Sequence, residues 1–452
     1  MIQNGKVETS SGFRIKRLKY AVSTSMLSKF MTAIVQIIAL PVAIRALGNK
    51  QFVLYAMLAS AVGWLSLVNI GIGPALAVRI AEATARKDRL AEKQFLTSAL
   101  LPILSIVFFI GIVFFFVIQY ARITSLFGQN YIESGNIIKE GISVLVVLFL
   151  LQTVLSVVEA AQLGYQEQYI LNLMAMASNM VCIIAIIFVA KYKPSVIWMI
   201  FAVNIPPFIF RIANVIIFFV KRSFLLPSIN NFSWTVCKSL LSNGFIFSLA
   251  GGLGNFLCHQ FPVIMAGRDW SSQDATSFAV AMNALIIASG MISMVTISLW
   301  PAISDSIARG EHDWVRLTYR RILMYSIIYG TFVGVIFAVF GTRLFRLWYG
   351  QSIYISQPLG IFLGLYFVLL MLENATFTML IGMKLIIIPS ILYLARSIFS
   401  IILMLTLLKF IGTSGPFISL CISVCIFTLV PFTLLSRHAL REQKTMVLIS
   451  SN

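Results

Sequence analysis

Charge is what this sequence lacks. Only 11% of its 452 residues are Asp, Glu, Lys or Arg, against 59% hydrophobic, and the mean hydropathy is +0.94. A water-soluble domain cannot hide that much apolar surface, because its core stops growing well before this fraction is reached. The solvent for most of the chain is therefore lipid. Histidine is nearly absent, with three residues, and neither HExxH nor GxSxG occurs. No GxxxxGK[ST] loop exists to cradle the phosphates of ATP, so no cofactor of that class is expected. The five cysteines, Cys182, Cys237, Cys258, Cys421 and Cys425, form no CxxC pair, and no metal is expected. The largest outer loop, about residues 121–141, is too short to fold as a catalytic domain. No enzyme is expected.

Acidic residues are scarcer still, 15 against 34 basic ones, for a formal charge of +19. The basic residues sit in short loops between apolar spans rather than in one compact patch. Cytoplasmic retention and anionic head groups explain them better than nucleic acid does.

A bilayer core of about 30 Å needs ~20 apolar residues in helix. Such windows fall near 22–44, 52–77, 95–120, 142–163, 171–190 and 195–220, and again near 241–266, 278–301, 321–348, 355–380, 385–408 and 412–436. The expectation is an all-α polytopic membrane protein of about twelve spans. The polar, basic first twenty residues lead into a full-length span, so the first helix is expected to be retained rather than cleaved as a signal peptide. Of the 34 basic residues, 21 fall on the side shared by both termini, 10 on the other and three inside spans, which predicts cytoplasmic termini.

A phrase repeats. Pro41 near the end of span 1 is echoed by Pro262 near the end of span 7, and Pro74-Ala75-Leu76 by Pro301-Ala302-Ile303. After each second proline the chain passes into mixed charge, "RIAEATARKD" and "SIARGEHD". Matching halves of like orientation imply two six-helix lobes, residues 1–227 and 228–452, related by an axis along the membrane normal. Each proline removes a backbone donor in hydrocarbon. Pro41, Gly71, Gly73, Pro74, Pro262 and Pro301 are therefore candidate hinges; tight helix packing is the alternative.

Ionisable side chains at membrane depth are costly, and each is a candidate site. Lys29, Arg211 and Arg396 lie in spans 1, 6 and 11, Glu159 and Glu373 in spans 4 and 10, and His259 in span 7. Each has a plainer reading. Lys29 can snorkel. Arg211 can satisfy backbone freed by Pro206 and Pro207, and Arg396 can join a structural ion pair. Glu159 can cap locally, Glu373 can pair with Lys384, and His259 can pack neutral rather than carry protons. Together the deep charges are cation-rich, which favours an anionic cargo held by Lys29, Arg211 and Arg396, with Glu159 or Glu373 available for ion coupling.

"GWLSLVNIGIGPALAVRIAEA" (63–83) and "IIALPVAIRALGNKQFVLYAM" (37–57) resemble polysaccharide-repeat flippases of the Wzx type, in the multidrug/oligosaccharidyl-lipid/polysaccharide exporter (MOP) superfamily. The motif likeness covers roughly residues 20–95; beyond them it is one of architecture. It implies a MATE-like fold, two six-helix lobes around a central cavity. It also implies alternating-access transport of undecaprenyl-pyrophosphate-linked oligosaccharide, such as O-antigen, across the bacterial inner membrane. An H+ or Na+ gradient would drive it, with membrane lipids and polysaccharide-assembly proteins as partners. The sequence departs from that family at Asn69, where an acidic residue is common, so no role for that carboxylate carries over. A lipid II flippase would carry two further helices, and a cation exporter would need deep acids in the first lobe. A polysaccharide polymerase or ligase would need a long outer loop.

Overall fold

The computed structural model describes residues 10–63, 65, 72–120, 123–242, 251–308, 310–349, 353, 355–383 and 385–450, some of them, including Lys29, Pro74 and Pro301, by backbone alone. The described residues form helices and connecting turns, with no strand. This follows from the solvent: in hydrocarbon a helix satisfies its own backbone, whereas an open sheet edge cannot.

The first half of the chain gives α1 (Ser10–Val62), α2 (Ile72–Ala85), α3 (Arg89–Tyr120), α4 (Gly135–Gly164), α5 (Gln168–Tyr192), α6 (Val196–Lys221) and α7 (Trp234–Ser242). The second half gives α8 (Phe261–Asp269), α9 (Ser272–Ala308), α10 (His312–Val335), α11 (Gly341–Tyr349), α12 (Gln357–Gly382), α13 (Ile387–Ile411), α14 (Gly415–Ser423) and α15 (Val430–Ser450). Among the described residues, ten stretches are long and apolar enough to cross a membrane. The expectation was about twelve. The second and seventh expected spans run through residues 66–71 and 243–250, which lie outside the described residues.

Local chemistry sets the breaks. Gly48 divides α1 at φ +71°, a left-handed conformation that side chains with a Cβ rarely adopt. Pro206 and Pro207 interrupt the hydrogen-bond ladder of α6. The carbonyl of Val203, left without a donor by Pro207, is met by the Cys182 thiol at 3.9 Å. Buried Pro262 follows a π-helical turn at Phe256–Gln260, and Pro431 follows another at Val424–Leu429. Such turns accommodate a ladder that has lost a donor.

The chain divides into two compact units. One comprises the described residues of Met1–Ala46, Val68–Ala121 and Glu140–Phe245. Its core joins Ile72, Leu76 and Ile80 of α2 to Leu96 and Ala99 of α3, Val157 and Ala161 of α4, and Phe218 of α6. Beyond the membrane-spanning part, Arg222 grips Glu167 with two nitrogens, at 2.7 and 3.2 Å, and its guanidinium lies 4.2 Å from the Tyr165 ring. The Tyr165 hydroxyl donates to buried Glu92 at 2.7 Å, and burial together with that carboxylate holds the phenol well above its ordinary pKa.

The other unit comprises the described residues of Leu47–Leu67, Arg122–Lys139 and Ile246–Asn452. The early segments are built into it by local contacts. The Thr276 hydroxyl donates to the carbonyl of Asn49, and the Tyr131 hydroxyl to that of Lys50, both at 3.4 Å. At a close crossing Gly334 of α10 meets Gly364 of α12, while Gly330 of α10 packs on Val368 and Met371 of α12. A Cβ at Gly334 would stand 2.8 Å from the Gly364 carbonyl oxygen. Small residues allow backbones this close, and in lipid that contact supplies the packing energy. Gly334→Val should therefore cost about 1–3 kcal/mol, the usual penalty of overpacking. A thermal unfolding scan of purified protein, with exposed Ile328→Val as control, checks it; an unchanged midpoint contradicts this packing.

Candidate functional site

In the first unit, α4, α5 and α6 enclose a cavity of about 840 Å³, completed by Thr32 of α1 and Gly73 of α2. Helical spacing places its polar groups. Gln152, Ser156 and Glu159 fall on one face of α4, and Pro207, Arg211 and Asn214 on one face of α6. From α5 come Gln168, Asn172 and Asn179, at i, i+4 and i+11. Nine of the twenty lining residues carry an amide or a hydroxyl, interleaved with apolar ones such as Phe149 and Phe210.

One charge pair sits in this wall. Arg211 Nε lies 3.2 Å from Glu159 Oε1, with side-chain exposures of 36% and 23%, so both reach the open space. Arg211 Nη1 also donates to the Gln152 carbonyl at 3.5 Å. The Val203 carbonyl freed by Pro207 is served by Cys182, while the backbone contact of Arg211 is to Gln152. Behind the pair, Gln162 and Asn214 exchange hydrogen bonds at 2.7 and 3.0 Å, both buried. This reciprocal amide bridge fixes α4 against α6 and so holds the spacing of Glu159 and Arg211. Asn179 donates to the Thr32 hydroxyl at 2.8 Å, tying α5 to α1 along the same cavity.

The second unit holds a contrasting pair. Arg396 of α13 is fully buried, and its Nη1 donates to both carboxylate oxygens of Glu373 on α12, at 2.6 and 2.7 Å. Its Nη2 donates to the Tyr366 hydroxyl at 2.9 Å, and the Tyr393 ring lies 5.2 Å from its guanidinium. Glu373 thus pairs with Arg396; Lys384, the partner the sequence offered, lies outside the described residues. Glu373, Asn374, Ser390 and Tyr393 border a smaller cavity of about 240 Å³; Arg396 itself borders none of the described cavities. His259 is buried nearby, with Nδ1 unpartnered.

Of the sequence candidates, Arg211, Glu159 and Gly73 meet in one cavity, and Arg396 and Glu373 meet in one buried pair. The side chain of Lys29 lies outside the described residues, as do Gly71 and the side chains of Pro74 and Pro301. Pro41 is buried within α1. The amide stripe of α5 is not among the sequence candidates, which are charged residues, glycines and prolines. Its signal was present in Gln168, Asn172 and Asn179, polar residues sharing one face of an apolar span. Removing one partner of a buried pair leaves an uncompensated charge and costs about 3–5 kcal/mol. Arg396→Ala should therefore lower membrane abundance sharply, and adding Glu373→Gln should restore much of it. Immunoblots of isolated membranes check this; a double variant no better than the single one would contradict it.

Known proteins share this fold. It matches an inward-facing multidrug-resistance MATE family transporter of the MOP superfamily with a TM-score of 0.77, at 16% identity, over 94% of this chain and 99% of the other. A MOP superfamily transporter from Pyrococcus furiosus matches at 0.67, also at 16% identity, over 95% and 96% of the two chains. A curated relative from Salmonella typhi, named "Putative O-antigen transporter", is 23% identical over 324 residues, 71% of each chain. The expected MATE-like class is thus the observed one, and the likeness is to transporters rather than enzymes. The family described as "Polysaccharide biosynthesis protein" matches residues 19–307, well over half of the length. This multi-pass membrane chain belongs to that family.

Proposed function

We propose that the protein is a flippase moving undecaprenyl-pyrophosphate-linked oligosaccharide, of the O-antigen repeat kind, from the cytoplasmic to the periplasmic leaflet of the bacterial inner membrane. The observation that carries this reading is a partly exposed arginine in a roomy cavity whose wall also carries amides and hydroxyls. A guanidinium binds phosphate oxygens through paired N–H groups, and amides match sugar hydroxyls as both donors and acceptors. Phe149 and Phe210 offer apolar faces to sugar rings. Kinship with the named O-antigen transporter supports the same cargo.

Arg211 is already engaged by Glu159, and this gives the cycle its logic. A diphosphate entering the cavity competes with the carboxylate for one guanidinium. Once displaced, Glu159 is left in a poorly solvated wall, where taking up a proton relieves its charge. Diphosphate binding to Arg211 and proton uptake by Glu159 are thus linked through one pair, and that linkage is where an ion gradient would act. Glu373 would serve the second lobe in the same way, and Arg396 would meet an anion only after its own pair opens. Lys29 adds a third cation on span 1. The lobes 1–227 and 228–452 would alternate access by bending near Pro41, Gly73, Pro74, Pro262 and Pro301, with Gly71 beside them. Both termini would face the cytoplasm, with membrane lipids and polysaccharide-assembly proteins as neighbours. A cation exporter fits less well, since the only carboxylate among the described lining residues is spent on Arg211.

The test is complementation of a strain lacking its own O-unit flippase, at matched membrane abundance. Arg211→Ala should lower surface polysaccharide about tenfold or more, the loss expected of one charge-assisted hydrogen bond, and Arg211→Lys should recover part of it. Full activity of Arg211→Ala would remove the cargo assignment.

A further inference from the structure

A second recess, separate from the cavity of α4–α6, lies on the surface of the other unit between α9 and α10. Two adjoining hollows of about 410 and 430 Å³ share Ile292 and Tyr325 and together form one groove. Its residues on α10, from Trp314 through Thr318, Arg321, Ile322, Tyr325 and Ser326 to Ile328, Tyr329 and Phe332, keep to a single stripe of the helix. Tyr329 anchors the apolar end, donating to the Ala288 carbonyl of α9 at 2.8 Å.

The groove is chemically divided. At one end stand Arg321, Trp314 and Thr318, with Arg316 and Arg320 on the same turns of helix. Arg321 and Trp314 are exposed, and Arg321 forms no ion pair among the described residues. Beyond Ile322 the lining is almost entirely apolar or aromatic, and Tyr325, Ile328 and Phe332 are each more than half exposed. From Arg321 to Phe332 is eleven residues, about 16 Å of helix rise, close to the ~15 Å of one leaflet. Tryptophan and arginine at one end mark head-group depth.

We propose that this groove binds one anionic glycerophospholipid, its phosphate on Arg321 and one acyl chain laid along Ile322, Tyr325, Ile328 and Phe332. Three observations support that occupant: a cation without an ion pair among the described residues at one end, an apolar channel one leaflet deep, and a helix-to-helix tie through Tyr329 in its apolar part. A neutral chain alone would leave Arg321 unused. The carrier's tail does not suit the groove as well, since a polyprenyl chain is longer than one leaflet. The inference stands apart from the cargo assignment, because it uses no residue of the α4–α6 cavity.

The test uses full-length protein, purified and delipidated in neutral detergent, and native mass spectrometry with phosphatidylglycerol or phosphatidylcholine of identical chains. Wild type should retain phosphatidylglycerol preferentially. Arg321→Ala should weaken that retention about fivefold, the effect of one basic residue at an anionic lipid surface, and Arg321→Lys should restore most of it. Arg343→Ala, an exposed arginine elsewhere in the same unit, should change nothing. Equal retention of both lipids, or equal losses from Arg321→Ala and Arg343→Ala, would overturn the site. If a polyprenyl phosphate displaces phosphatidylglycerol from wild type but not from Arg321→Ala, the groove belongs to the carrier lipid and the proposal fails.

Discussion

An unpartnered charge in hydrocarbon is the expense around which this chain is arranged. Two arginines deep in its spans are each matched by a carboxylate from a neighbouring helix, Arg211 by Glu159 and Arg396 by Glu373. The two pairs answer the same constraint differently. Around Arg396, two carboxylate oxygens, a tyrosine hydroxyl and an aromatic face exclude solvent and lock α12 to α13. Around Arg211 the wall is open, the contact to the carboxylate is single and longer, and the neighbouring polar groups pair with amides and hydroxyls. A sealed pair favours one geometry. An open pair can be exchanged.

That difference bears on how a transporter can bind a doubly charged head group without becoming a trap for it. A free arginine in a low-dielectric cavity would hold an anion strongly and release it slowly. An arginine already held by a carboxylate offers a nearly balanced exchange, so the gain on binding cargo is offset by the loss of the internal pair. The reciprocal bond between Gln162 and Asn214 keeps the two helices in register while the pair opens. The same economy appears in the backbone, where the Cys182 thiol meets the carbonyl freed by Pro207 and leaves Arg211 to the cavity.

Much of the architecture was legible in the residues. Apolar windows of membrane length placed α3, α5, α6, α12 and α13 within a few residues, because in lipid the helix is the only form that satisfies an isolated span. The deep charges were legible one by one but not as pairs. Glu159 and Arg211 lie 52 positions apart, and Glu373 and Arg396 lie 23 apart, so no helical spacing relates them. Only the packing of α4 on α6 and of α12 on α13 brings them together. The kink at Gly48 was likewise hidden, since a glycine in a span serves packing as often as a turn. The amide face of α5 was visible as a pattern, but only a cavity opposite it gives the pattern a purpose.

The exchange on Arg211 is tested most directly by measuring the affinity of purified protein for a prenyl diphosphate, comparing wild type with Glu159→Gln at equal stability. Neutralising Glu159 removes the internal competitor while leaving the arginine in place. The account predicts tighter binding by Glu159→Gln, by about tenfold if the carboxylate's hold on Arg211 is worth ~1.4 kcal/mol. Binding that is unchanged or weaker in that variant would contradict it, and would mean that Glu159 positions Arg211 for cargo rather than competing for it.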